Sequence, residues 1–389
     1  MTEKAPSRGM IRVAGPTHRR APGFQLLASS SWLLAPGFQL LASSSCFPAT
    51  PIFPFVPTQS RSWIPSLAAA PATAPDDPRV GHLLGGALAD GGAPRVVIAG
   101  FPCDEGVRRN GGRSGAATAP LAIRRALYRL TPHAAHADAF TQLLARTYDA
   151  GDLVLTGDLD TDQAHLGDAL APHIRAGAFV IVLGGGHETA YGHFLAYARA
   201  EQDVAILNWD AHADVRELRG GQAHSGSPFR QAIEHASGRC RSYTVAGLQP
   251  HSVAQAHLSF VRAHGAAHWA HEVDAALIAR LYAASETAHG VPRDSPHDAP
   301  LLASFDLDAV DRAWAPGVSA PATNGLSVSH WLRAAHQAGR SPRVRSADVV
   351  ELNPRVDVDE QTVALAALTV WWLLAGLAER VPLGDDAGD

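Results

Sequence analysis

From residue 95 onward, short apolar runs alternate with longer stretches in which apolar residues recur every three or four positions. The runs are RVVIAGF (95–101), AFVIVL (178–183), VAILN (204–208), SYTVAG (242–247), LLASF (301–305) and ADVVEL (347–352). They are short, rich in β-branched residues and apolar at successive positions, so they read as strands buried on both faces. Between them, TAPLAIRRALYRL (118–130) offers Thr118 as an N-cap and Pro120 in the first turn of a helix. A second helix starts near residue 188, and a third runs from about 360 to 380. The uncharged stretch of this last helix, VALAALTVWWLLAGLA, is short for a bilayer and flanked by acids, which predicts a buried core helix. The alternation as a whole predicts a three-layer α/β fold, with a central, mainly parallel sheet flanked by helices on both faces.

Residues 1–77 follow another pattern. APGFQLLASSS occurs at 21–31 and again at 35–45, within Pro- and Ser-rich sequence. This predicts a low-complexity, disordered N-terminal extension over 1–77 and a folded domain over 78–389. A targeting segment or a start placed too far upstream are the other readings. Pro22 and Pro36 interrupt the apolar runs and argue against a membrane-spanning helix.

Charge sharpens the division. Residues 1–75 carry six Lys/Arg against the single acid Glu3, so the remainder holds −10 of a net −5. An acidic body gives no reason to expect a nucleic-acid partner and suits a site that gathers cations. The three cysteines, Cys46, Cys103 and Cys240, form no CxxC pair, which points to a reducing, cytoplasmic setting.

The candidate chemistry sits at strand ends, where open parallel sheets bind their ligands. LGGGHE places His187 after one strand, and NWDAHADVRE places Asp210, His212 and Asp214 after another. SFDLDAVD supplies Asp306 and Asp308, and VVELNP supplies Glu351. Singly, an Asp-x-Asp is a turn and a GGGH a tight bend; together on successive strand ends they indicate a metal centre. Positions i, i+2 and i+4 of a strand share a face but span roughly 13 Å, so either the chain curls or there are two ions. Asp210 and Asp306 each open a motif and are the natural bridges. His187 and Asp214 would complete one ion, His212 and Asp308 the other. Six ligands are too many for one tetrahedral zinc, and hard oxygens with imidazoles suit Mn²⁺. Four carboxylates balance two divalent ions, and coordination would yield a bridging hydroxide near neutral pH.

These residues resemble the ureohydrolase (arginase/agmatinase) family, whose hallmarks GG-x-H, D-A-H-x-D and S-F-D-x-D stand here as Gly184–His187, Asp210–Asp214 and Ser304–Asp308. The resemblance covers roughly residues 80–380 and implies an arginase-like fold. It also implies two Mn²⁺ ions per subunit, hydrolysis of an amidine or guanidine C–N bond, and a homo-oligomer acting on a small molecule. Within the family, DEGVRRNGGRSGA (104–116), the Glu of GGGHE, SGSPFRQ (225–231) and ELNPRVDVDEQT (351–362) resemble the formimidoylglutamase branch. That branch cleaves N-formimidoyl-L-glutamate to L-glutamate and formamide in histidine degradation. The resemblance further implies that Glu351 pairs with the amidinium, that Asp214 passes a proton to the leaving nitrogen, and that Ser225 and Ser227 contact substrate.

Departures from the arginases bear on substrate. Arg216 follows Asp214 by two, where arginases place small polar residues; it favours an anionic substrate through a bidentate carboxylate contact. Its alternative role is a structural salt bridge to Glu217 or another acid. GLQPHS (247–252) lacks the acid that arginases use for an α-ammonium group. Arg109, like Arg108 and Arg113, lies in a glycine-rich loop and is a further candidate for substrate charge. Phe229 stands where arginases carry a proton-shuttling histidine, and His224 precedes the serine, so that role does not transfer. Glu188, beside a ligand, is expected to support the site. The competing readings are a ureohydrolase acting on agmatine, guanidinobutyrate or arginine, which would want an acid at position 216, a non-catalytic relative, which would lack metal ligands, and a zinc deacetylase, which needs one ion and another ligand set.

Overall fold

Alternate residues of the central strands enter two separate cores. In the strand Phe179–Gly184, Phe179, Ile181 and Leu183 join one cluster while Val180 and Val182 join the other. This is the consequence of strands that are apolar at every position: both faces must be covered. Helices Ala119–Leu127, Val328–Arg340 and Gln361–Ala378 cover the first face. Helices Leu159–Arg175, Thr189–Ala200 and Gln255–His264 cover the second. These three layers belong to a computed structural model that describes residues 62–85, 93–283 and 299–380.

Among the described residues the sheet has nine strands: β1 (Trp63–Ile64), β2 (Val96–Phe101), β3 (Thr147–Leu153), β4 (Phe179–Gly184), β5 (Val204–Trp209), β6 (Cys240–Leu248), β7 (Gly265–Trp269), β8 (Leu301–Asp306) and β9 (Val344–Val350). Their order is β1-β3-β2-β4-β9-β8-β5-β6-β7, and all pairings are parallel except β1 with β3. The six predicted strands are all present. β1, β3 and β7 are additional, and each lacks the continuous apolar signal. β3 reads TYDAGDL because Asp149 and Asp152 receive the guanidinium of Arg124, which is fully buried. A buried arginine of this kind persists only when paired.

The helix expected over 118–130 runs from Ala119 to Leu127, and Thr118 does not cap it by its side chain. Its hydroxyl instead donates to Gly115 O at 2.9 Å, within a preceding 3₁₀ turn. Gln361–Ala378 is a core helix: its Thr369 hydroxyl accepts the indole N–H of the buried Trp331 at 2.8 Å, which fastens it to Val328–Arg340. Burial of a side chain as large as Trp331 stabilises the fold by about 3 kcal/mol. The expected boundary after residue 77 falls inside described structure, since Trp63 and Ile64 pair antiparallel with Leu153 and Asp152. The repeated APGFQLLASSS segments lie outside the described residues.

Candidate metal centre

The four motif-bearing strands, β4, β9, β8 and β5, are consecutive neighbours in the sheet. They are parallel and nearly level at their carboxyl ends, with Leu183 paired to Val349, Asp306 to Val350 and Trp209 to Phe305. The residues that follow therefore meet on one edge of the sheet: His187, Glu351, Asp306 with Asp308, and Asp210 through Asp214.

The expected glycine turn has a different cause. Gly184, Gly185 and Gly186 are not among the positive-φ glycines. What they provide is room: a Cβ on Gly185 would lie 1.7 Å from Cys103 O. The loop after β2 thus packs directly on the loop that carries His187.

Two aspartates open their motifs in the same way. Asp210 Oδ1 accepts the backbone N–H of His212 at 2.6 Å, and Asp306 Oδ1 accepts that of Asp308 at 2.8 Å. Each turn curls the chain off the strand axis. Asp214 then adopts φ 44°, a left-handed angle uncommon for a residue with a Cβ. Asn208 Nδ2 donates to Asp210 Oδ2 at 2.9 Å, and Tyr243 OH donates to Ala213 O at 2.7 Å, bracing the loop from beneath. The chain curls, and the potential donors fall into two overlapping sets.

The first set is His187, Asp210, Asp214 and Asp306; the second is Asp210, His212 and Asp308. Asp210 belongs to both. His187 Nδ1 lies 3.3 Å from Asp210 Oδ2, 3.0 Å from Asp214 Oδ2 and 2.9 Å from Asp306 Oδ2. His212 Nδ1 lies 3.4 Å from Asp210 Oδ1 and 3.0 Å from Asp308 Oδ2. His187 Nδ1 and Asp308 Oδ1 are buried without a hydrogen-bond partner. Atoms so close and so little satisfied are what a cation between them would leave, and the donor set fits a divalent metal.

The other side of His187 is committed. Its Nε2 stands 3.0 Å from Ser304 Oγ, which itself donates to Asp348 Oδ1 at 2.5 Å. A carboxylate oxygen only accepts, so Ser304 offers His187 a lone pair and His187 Nε2 carries a hydrogen. Nδ1 is thereby left as the atom facing the carboxylates. Phe229 closes the site beside it, its ring edge-on to His187 at 5.0 Å between centroids and stacked on Tyr243 at 4.7 Å.

Without a cation the cluster concentrates like charge. Burial, with the charges of Asp308 and Asp210, holds the Asp306 carboxyl well above the usual range. Burial raises Asp308 to about 6 despite His212. Burial pushes Glu188 up to about 7, and pushes Glu351 up to about 8 with help from Glu188 and Asp308. Burial opposes charging of His187, but Asp306, Asp210 and Asp214 overcome it and hold its imidazole well above its usual range.

The remaining predicted residues separate into groups. Glu351 follows β9 with φ 66° rather than ending it in extended form, and its Oε1 accepts the N–H of His187 at 2.8 Å. Glu188 accepts the N–H of Gly106 at 2.8 Å, tying the glycine-rich loop to the His187 loop. Arg216 Nη1 donates to Asn110 Oδ1 at 3.2 Å, and Asn110 Nδ2 donates to Ser225 Oγ at 3.1 Å. Among the described residues Arg216 has no ion-pair partner, since Glu217 pairs with Arg230 at 3.4 Å. Arg109 is engaged otherwise, by Glu105 at 2.9 Å and by Ala223 O at 3.1 Å. Ser227 is fully buried, and its hydroxyl donates to His224 O at 2.8 Å and contacts Gln231 Oε1 at 3.0 Å. Ser227 and Arg109 thus build the loops around the site, while Arg216 and Ser225 share a polar chain through Asn110. Sequence reasoning missed Asn110; its place in the loop RRNGGR was the available signal. His224 Nδ1 accepts the Gly226 N–H at 3.1 Å and its Nε2 donates to Glu217 O at 3.0 Å, so it staples this loop and has no proton to relay. A cavity of about 240 Å³ opens beside His212 and is lined also by His251, Ser252 and Thr323.

The comparisons agree with this geometry. The Arginase family model matches residues 94–376. A formimidoylglutamase of Chromobacterium violaceum is 38% identical over 292 residues, covering 74% of this chain and 89% of the relative. One of Geobacillus thermodenitrificans is 39% identical over 277 residues, covering 70% and 81%. Among solved structures, a Trypanosoma cruzi formiminoglutamase with Mn²⁺ superposes with a TM-score of 0.68 at 33% identity, over 79% of this chain and all of that one. A formimidoylglutamase of Bacillus subtilis shares the fold with a TM-score of 0.66 at 22% identity, over 80% and 96%. By its sequence, its three-layer sheet and the residues gathered at the sheet edge, the chain belongs to the arginase family.

Proposed function

We propose that this chain hydrolyses N-formimidoyl-L-glutamate to L-glutamate and formamide, using two manganese ions per subunit. The observation that carries the reading is the pair of donor sets joined at Asp210, with Arg216, which has no acid partner among the described residues, on the loop that follows. His187, Asp210, Asp214 and Asp306 would hold one ion; Asp210, His212, Asp308 and Asp306 the other, since Asp306 makes the same opening turn as Asp210. Bound, the ions would polarise the amidine and supply hydroxide near neutral pH.

The chain's own groups do the rest. Glu351, buried and anchored to His187 N–H, presents a carboxylate that pairs with the formimidoyl amidinium and orients its carbon. Asp214, 13% exposed, is the open edge of the first set and carries a proton to the departing glutamate nitrogen. Arg216 binds a substrate carboxylate through its planar fork, and Ser225, held by Asn110, lies on the same side. Phe229 and the buried walls around His187 exclude water from the reacting carbon. The two described cysteines are free thiols, in keeping with a cytoplasmic setting, and the resemblance supports a homo-oligomer.

A guanidine substrate with a cationic tail is the weaker reading, because Arg216 would repel that tail. Purified protein loaded with Mn²⁺ and offered N-formimidoyl-L-glutamate, arginine, agmatine and guanidinobutyrate decides between them. Glutamate and formamide without urea supports the proposal; urea from a guanidine contradicts it.

A further inference from the structure

Behind the donor sets lies a histidine that touches none of their carboxylates. His193, on the helix Thr189–Ala200, is fully buried, and its Nδ1 stands 2.8 Å from Asp348 Oδ2. Asp348 is itself fully buried on β9, in register with Ser304 of β8. Among the described residues its hydrogen-bond donors are Ser304, on Oδ1 at 2.5 Å, and His193, on Oδ2. The carboxylate therefore depends on His193 for half of its satisfaction. The other ring nitrogen of His193, Nε2, is buried with no partner, a cost that a phenylalanine in its place would not carry. Its polar ring is thus committed to the single contact with Asp348.

The bond directions connect that contact to His187. Asp348 accepts from Ser304, Ser304 accepts from His187 Nε2, and His187 Nδ1 is left to face the first donor set. Without His193 holding its Oδ2, the Asp348 carboxylate is free to turn and no longer fixes the Ser304 hydroxyl hydrogen on itself. Ser304 would then donate to His187 Nε2, moving the imidazole hydrogen to Nδ1, where it blocks a cation. We propose that His193 is a positioning residue for the metal centre: through Asp348 and Ser304 it sets which nitrogen of His187 is open. The inference rests on the reading of His187 as a metal ligand.

The test is equilibrium dialysis of metal-free protein against Mn²⁺, with bound metal counted by mass spectrometry. His193→Phe fills the space but removes the donor, and a loss of about 10- to 100-fold in Mn²⁺ affinity is expected. His193→Asn, whose amide nitrogen sits where Nδ1 did, is expected to restore most of it, which a merely structural role would not do. Turnover at saturating Mn²⁺ is expected to survive in both. A folded His193→Phe protein with wild-type Mn²⁺ affinity overturns the proposal. Should that variant fail to fold, His193→Met, which also fills the space without a donor for Asp348, carries the same expectation and the same refutation. His187→Ala separates the two levels: if it loses metal while His193→Phe does not, only this inference fails; if it binds both ions as wild type does, the ligand reading fails with it.

Discussion

Glu351 accepts the backbone N–H of His187 at 2.8 Å across 164 residues of sequence, joining the end of β9 to the first residue of the first donor set. One carboxylate oxygen is thus structural; under the proposed function the other meets the substrate. Glu351→Gln keeps a carbonyl oxygen to accept the same hydrogen but removes the charge that pairs with an amidinium. Bound metal is expected to stay near wild type while kcat falls about 100-fold or more. Steady-state kinetics beside metal analysis checks this, and equal losses of metal and turnover would assign Glu351 to the scaffold alone.

Asp210 is the residue that both donor sets share. Asp210→Ala is expected to abolish activity and to remove bound metal from both sets, whereas Asp308→Ala removes a ligand from the second set only. Metal counts per chain distinguish them; two ions bound to Asp210→Ala would refute the shared role.

Without metal, the pH dependence of stability has a definite sign. Asp306, Asp308, Glu188 and Glu351 all have carboxyls raised by burial, and the imidazole of His212 is raised by Asp308 despite burial. A group whose folded pKa is raised contributes stability below its unfolded value and loses it as pH rises towards the folded one. For the carboxyls this window opens at the ordinary values, 3.8 for the aspartates and 4.5 for the glutamates, and runs up to about 8 for Glu351. Asp210, which is lowered, changes nothing above that starting point; His173, His224, His235, His257 and His268, lowered chiefly by burial, act in the opposite sense but are outweighed by the four raised carboxyls together with His187 and His212. The metal-free protein should therefore melt at a lower temperature at pH 8 than at pH 5.5, and Mn²⁺ should reverse the difference at pH 8 while releasing protons. Calorimetry over that range tests it; a metal-free protein more stable at pH 8 would contradict the electrostatic account.

Arg216 has a hydrogen-bonded neighbour, Asn110, but no acid partner among the described residues. Arg216→Ala is expected to cost about 10- to 100-fold in kcat/KM for N-formimidoyl-L-glutamate, as for loss of a charged hydrogen bond, and mostly through KM. Thermal stability should be little affected. A destabilised protein with unchanged KM would instead make Arg216 a structural residue.

Burial pushes the thiols of Cys103 and Cys240 up to about 12. In a Cys46→Ser background the native protein should barely react with Ellman's reagent at pH 8 and should react with two equivalents once unfolded. Rapid native reaction would show that these thiols are not held as the structure places them.

Much of the candidate site was legible because six potential metal donors gathered at strand ends leave a dense signature. His187, Asp210, His212, Asp214, Asp306 and Asp308 all lie at strand ends that the apolar runs had marked. The strands that escaped notice were those whose polar residues serve tertiary partners, as Asp149 and Asp152 of β3 serve Arg124. Loop residues were the least legible. Ser227 and Ser225 look alike in SGSPF, yet one hydroxyl closes a buried turn and the other meets Asn110. That difference is set by the path of the 216–226 loop, which His224 fixes from within and which no local pattern encodes.

The central claim concerns which C–N bond breaks. N-formimidoyl-L-glutamate labelled with ¹³C at the formimidoyl carbon, incubated with Mn²⁺-loaded protein and followed by NMR, reports this directly. The account predicts that the label appears in formamide as free glutamate accumulates in equal amount, because the proton reaches the glutamate nitrogen. Label in N-formylglutamate with release of ammonia, or no turnover by protein holding two ions, would contradict it.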